Sequence, residues 1–163
     1  MDRDSYSSGQ SPAESAARAF DSLVLPAHLS LERLIRVVER VRYRPIEIEA
    51  SEALNGGSVC GLWLSTDNVE IILHALSPSG VHRQQFVLHE LGHMVLRHDE
   101  LVVPLDYIEV LFPNLPPALV RRALARSSFT DELEAAAESL ADLFAAAIRN
   151  SAREPRSFEK VFG

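Results

Sequence analysis

FVLHELGHMVLRH, residues 86–98, sets two histidines four positions apart, with a glutamate after the first and a glycine before the second. On a helix, positions four apart lie about 40° from each other around the axis and one turn apart along it, so His89 and His93 project side by side. Two imidazoles in that arrangement can hold one metal ion. Glu90 stands about 100° round from His89, poorly placed as a ligand but near enough to reach a water on such an ion. This is the division of labour in the H-E-x-x-H pattern: two ligands, a general base and an open coordination position. Zinc lowers the pKa of its bound water to about 7, where a carboxylate can take the proton.

The bland alternative is a surface histidine pair on an ordinary amphipathic helix. Background residue usage makes H-E-x-x-H an accident of less than about one in a hundred for a chain of this length. Phase points the same way: Val87, Leu91, Met94 and Val95 fall opposite the histidines, so the helix has a core face and a separate histidine face.

A third ligand is needed. His98 is nearest, but on a continuing helix it lies about 140° from His93, on the core side, and neither Leu96 nor Arg97 is a glycine that would let the chain turn back. It also misses the spacing of the extended metzincin motif. We expect a helix-end histidine that favours the C-terminal dipole, with a substrate contact as its other role. The other source is TDELEAAAESLADLFAAAIRN, residues 130–150, where Asp131, Glu134, Glu138 and Asp142 share one face and Leu133, Ala137, Leu140, Phe144 and Ile148 form the apolar one. Such a stripe alone is ordinarily solvated surface. Opposite a histidine pair lacking a third ligand, one of its carboxylates completes the site, and another one turn on can hold a ligand's second N–H. The alanines around the stripe allow close approach to the histidine helix.

Working outward, LSLERLIRVVERVRYRP, residues 29–45, carries Leu31, Leu34, Ile35, Val38 and Val41 at helical spacing, with Ser30 as N-cap and Pro45 as stop. IEIEA, SVCGLWLS and VEIILHAL read as about three strands of a small, mostly antiparallel sheet, with Asn55, Gly56 and Gly57 in a loop. A helix follows from about Val81 to Arg97. Beyond it, Pro104, Pro113, Pro116 and Pro117 punctuate two short helical pieces. Residues 1–12 read as a mobile tail, 13–150 as one domain and 151–163 as a C-terminal tail.

The bulk numbers exclude several classes. A length of 163 residues fits one domain and one site. A net charge of −7 argues against direct nucleic-acid binding and leaves room for a basic protein partner. No apolar run approaches a membrane span, the N-terminus has acids where a signal peptide has bases, and the single cysteine, Cys60, makes no internal disulfide. A cytoplasmic location is expected. Cys60 and Trp63 read as core residues, and His74 and His82 as ordinary polar ones.

CGLWLSTDNVEIILHALSP, HRQQFVLHELGHMVLRH and an E-x-x-A-acid segment on a helix together resemble the ImmA/IrrE family of zinc metallopeptidases, gluzincin-like proteins of bacteria and phages, over about Leu31 to Ile148. The CGLWL strand and VRRAL stretch are most similar to the compact actinobacterial members. The resemblance implies an α+β, zincin-like single domain with an HExxH active-site helix and a C-terminal glutamate-bearing helix. It implies Zn2+ held by His89 and His93, with Glu90 as general base. The third ligand fits twice: the spacing from FTD gives Glu134 with Glu138 behind it, and the local E-x-x-A-D-x-F-A match gives Glu138 with Asp142 behind it. We expect Glu134, with Glu138 as the alternative. His98 and Tyr107 are candidates for substrate or oxyanion contact, with Arg97 beside them. Family members typically cleave a helix-turn-helix transcriptional repressor, so the implied substrate is a basic DNA-binding protein. The competing reading is a catalytically silent zinc-fold protein that binds a regulator or toxin–antitoxin partner.

Overall fold

The computed structural model describes residues 9–54, 61–100, 122–125 and 129–153. Helix α1, Pro12–Ser22, begins at the last residue of the expected tail and otherwise lies in the expected domain. Ser11 and Glu14 form a reciprocal capping box and Pro12 occupies the first turn, so the start is written locally. Its burial comes from elsewhere: α1 packs along the last helix, with the Phe20 and Phe144 rings 6.0 Å apart.

Helix α2, Leu31–Arg42, is capped by Ser30 and buries Leu34, Val37 and Val38, while Val41 at the end of the expected stripe is exposed. It stops before Pro45, at Tyr43, whose left-handed φ of 57° ends the helical path.

Strands β1 (Ile46–Ala50), β2 (Gly61–Ser65), β3 (Glu70–His74) and β4 (Arg122–Ala125) form one sheet in the order β1-β3-β2-β4. β2 pairs antiparallel with β3, as their short connection permits, and antiparallel with β4, but β1 pairs parallel with β3. The sheet is therefore mixed, with one strand more than the sequence suggested. β4 lies where helical pieces were expected. Four residues pairing along the outer edge of β2 outweigh the weak helical preference of so short a segment.

Helix α3, Gly80–Val95, follows with Ser79 as N-cap. Helix α4, Asp131–Arg153, is capped by the Thr130 hydroxyl, which accepts from the Leu133 amide, and runs past the expected domain boundary. The core lies between α3, α4, α1 and α2 and the sheet, centred on Trp63, Ile72, Leu88, Leu91, Met94, Leu140 and Phe144. Val87, Leu91 and Met94 are buried as their phase requires. Glu90 and His93 are buried too, so α3 is covered on its chemical side as well as its apolar side. Gly92 allows this: a Cβ there would lie 2.8 Å from the Ala137 carbonyl oxygen, so only glycine lets α3 and α4 approach so closely. Among the described residues no helix is long and apolar enough to cross a membrane.

Candidate metal centre

α3 presents His89 and His93 one turn apart, and the first turns of α4 bring Glu134 opposite them. Both histidines turn Nε2 inward: His89 Nε2 is 2.9 Å from Glu134 Oε2, His93 Nε2 is 3.1 Å from Glu134 Oε1, and the two Nε2 atoms are 3.1 Å apart. One ligand atom from each of the three residues lies within 4.8 Å of the others, so the group can hold a metal ion. Glu138 is not on this shared side. Its Oε2 lies 2.9 Å from Nδ1 of His89, where it accepts that N–H and leaves Nε2 aimed at Glu134. Glu134, the expected third member, thus joins the group, and Glu138, the alternative, acts on His89 from the opposite edge of its ring. Asp142, one turn further, is exposed and outside the group.

Glu90 is buried in the same region, next to the start of β2. A Cβ at Gly61 would meet its Oε1 at 2.8 Å, so that glycine makes room for the carboxylate. Its Oε2 is buried with no hydrogen-bond partner among the described residues. Desolvation raises the Glu90 pKa to about 7, against the pull of His89 and with a push from Glu134. Burial works against charge on His89, but hydrogen bonds and the fields of Glu134, Glu90 and Glu138 hold its pKa up at about 9. Burial also opposes charge on Glu134, yet hydrogen bonds from His89 and His93 bring it down to about 2. A proton shared beside Glu134 therefore occupies the place where a cation would be welcome. The donor set of two imidazoles and a carboxylate suits a borderline divalent ion with an open position, and Glu90 lies near it with one oxygen lacking a hydrogen-bond partner among the described residues.

His98 departs from its expected position. α3 ends at Val95, and Arg97 takes a left-handed φ of 57° without being glycine. A short 3-10 turn, His98–Glu100, then folds back so that His98 Nδ1 lies 2.8 Å from His93 Nδ1. His98 is 3% exposed and touches the far edge of His93, away from the Nε2 side where substrate or oxyanion contact was expected. Burial and the neighbouring His93 lower its pKa to about 4, so it is neutral. Arg97 is exposed. His82 is exposed, and His74 is buried against the Ala75 carbonyl. Tyr107, Cys60 and the Asn55–Gly57 loop lie outside the described residues.

Sequence reasoning missed Phe129, whose ring stacks on His93 with centroids 3.9 Å apart and planes 14° from parallel. It also missed Gly61, and a polar cluster behind the site. There, buried Glu70 accepts from Trp63 Nε1 at 2.6 Å, Arg42 at 2.8 Å and Arg44 at 3.0 Å, and Arg42 also grips Asp99. Trp63 is core, as expected, with its indole N–H satisfied. No local pattern marks Arg42, Glu70 and Asp99 as partners, since each comes from a different element. Compared with protein-family models, with curated proteins and with solved structures, the chain matches none.

Proposed function

We propose that this chain is a zinc-dependent peptidase of zincin-like fold, acting as the ImmA/IrrE-like motifs imply on a basic, helix-turn-helix regulatory protein of the cytoplasm. The observation that carries the reading is the convergence of His89, His93 and Glu134 beside a buried Glu90, one of whose oxygens has no hydrogen-bond partner among the described residues. Burying a carboxylate oxygen without a hydrogen bond costs stability, which is more often tolerated where the group has a function.

His89, His93 and Glu134 would hold the ion. Zinc bound there supplies Lewis acidity toward a carbonyl and eases deprotonation of water. Glu90, buried beside the group with one oxygen free of hydrogen bonds among the described residues, would take a proton from water and return it to the leaving amine. Gly61 keeps that carboxylate free of side-chain crowding from β2. The acidic net charge of −7 favours encounter with a basic partner.

The test is to measure zinc per chain, then incubate the zinc-loaded protein with helix-turn-helix regulatory proteins from the same genome and look for cleavage by mass spectrometry. We expect about one zinc, cleavage by wild type and none by Glu90→Gln with zinc retained. Zinc binding with partner capture but no cleavage would favour the silent binding protein. No zinc uptake at all would remove the metal reading.

A further inference from the structure

His93 has two ring nitrogens and only one can face an ion. Nε2 is turned to Glu134 and His89, and Nδ1 lies 2.8 Å from Nδ1 of His98. To offer a lone pair at Nε2, His93 must carry its proton on Nδ1, where the nearby partner must accept it. His98 can do so only with its own proton on Nε2. Phe129 stacks on His93 and leans on His98 at 6.0 Å between centroids, which restricts ring rotation of both.

His98 is in reach only because the chain reverses at Arg97, and the reversed turn is gripped. Arg42 donates through Nη1 and Nη2 to the two oxygens of Asp99, both at 3.1 Å, and its Nη1 also reaches the Met94 carbonyl at 3.4 Å. The same guanidinium is fixed by Glu70 at 2.8 Å and lies over the Trp63 ring at 5.0 Å. The end of α3 and the residue next to His98 are thus tied by one side chain to the sheet.

We propose that His98 is a positioning residue for the ion site, accepting the Nδ1–H of His93 so that Nε2 stays bare and aimed inward, with the Arg42–Asp99 fork holding His98 in register. This rests on the metal reading above. The choice of a neutral acceptor has a physical reason: Glu90 and Glu134 already place two carboxylates in this buried region, and a third against His93 would add a further desolvation cost.

The test uses zinc-loaded, nitrogen-15-labelled full chain and competition with a chromophoric chelator. In wild type, His98 should show protonated Nε2 and unprotonated Nδ1, and His93 a slowly exchanging Nδ1–H. His98→Phe should weaken zinc binding about 10- to 100-fold and free that proton to exchange. His98→Asn, whose side-chain oxygen stands near the lost Nδ1, should recover most of the affinity, and Asp99→Asn should fall between. A thermal melt of each variant separates misfolding from lost positioning, and the wild-type tautomer decides even if His98→Phe fails to fold. A proton on His98 Nδ1, or zinc affinity in folded His98→Phe equal to wild type, would overturn the proposal while leaving the metal site standing. Wild type that binds no zinc would remove both.

Discussion

His89 and His93 are the same residue, one turn apart on one helix, yet they are held in opposite ways. The outer ring, with 17% of its side chain exposed, gives its Nδ1–H to Glu138, a carboxylate that is itself 54% exposed. The inner ring, 1% exposed, leans on a buried neutral imidazole and an aromatic face. The difference follows from solvent. Near the surface a charged acceptor is cheap to hold and strengthens a ligand's basicity; in the interior it is not. His89 is accordingly kept protonated up to about pH 9, whereas burial lowers the pKa of His93. The outer ligand answers to pH and the inner one to packing.

The sharpest way to break that contrast is to remove each ring. Both alanine variants should lose tight ion binding. Only His93→Ala should also unfold readily, by about 2–4 kcal/mol in chelator-treated protein, because it empties a packed position under Phe129. His89→Ala, which opens no packed interior position but deprives Glu134 of a charged partner, should cost less, about 1–2 kcal/mol. Equal losses in denaturant melts would mean that packing does not distinguish them.

Glu90 offers a change of opposite sign. Its folded pKa of about 7 lies above the ordinary 4.5, so its contribution to stability is fully present below about pH 4.5 and is lost as pH rises through 7. Above that the ionised buried carboxylate opposes folding. Glu90→Gln should therefore stabilise the chelator-treated protein by about 2–3 kcal/mol at pH 8, and the gain should vanish near pH 4. A variant no more stable than wild type at pH 8 would show that the carboxylate is not held in a dry site.

The two crowded glycines separate framework from chemistry. Gly92→Ala drives a Cβ against the backbone of Ala137, so α3 must move off α4, and stability should fall by about 1–3 kcal/mol with weakened ion binding. Gly61→Ala meets only the end of the Glu90 side chain, which can swing aside. It should cost less stability, leave zinc content intact and lower turnover. A Gly61→Ala protein with wild-type turnover would free that glycine of any catalytic meaning.

These contrasts mark how far the sequence could be read. The histidine pair was legible because helical spacing alone puts His89 and His93 side by side, and the approach of α4 was legible in its alanines, whereas the part Gly92 plays in that approach was not read. Glu134 was preferred over Glu138 only on its spacing from FTD, since one turn of helix places both toward the same ring and the translation of α4 against α3 is what assigns them to different edges. His98 was misplaced because the reversal at Arg97 uses a left-handed residue that is not glycine, stabilised by Arg42 from another element. The parallel pairing of β1 with β3 was hidden for a similar reason: strand alternation fixes faces, not directions.

The smallest expected effect tests the outer support directly. Because His89 carries a proton below about pH 9, ion binding at pH 7 must expel it, so zinc affinity should rise about tenfold per pH unit between 7 and 9 from this group alone. Calorimetry at pH 7 in buffers of different ionisation enthalpy should show about one proton released. Glu138→Gln should reduce that release only slightly, since Glu138 is the last of the causes that raise the His89 pKa and water screens it. Its zinc affinity should fall only a few-fold, less than that of His98→Phe, because solvent can replace an exposed acceptor but cannot reach the buried Nδ1 of His93. If Glu138→Gln instead weakened binding more than His98→Phe, the inner ligand would be self-sufficient and the outer carboxylate would be the one that holds the site together.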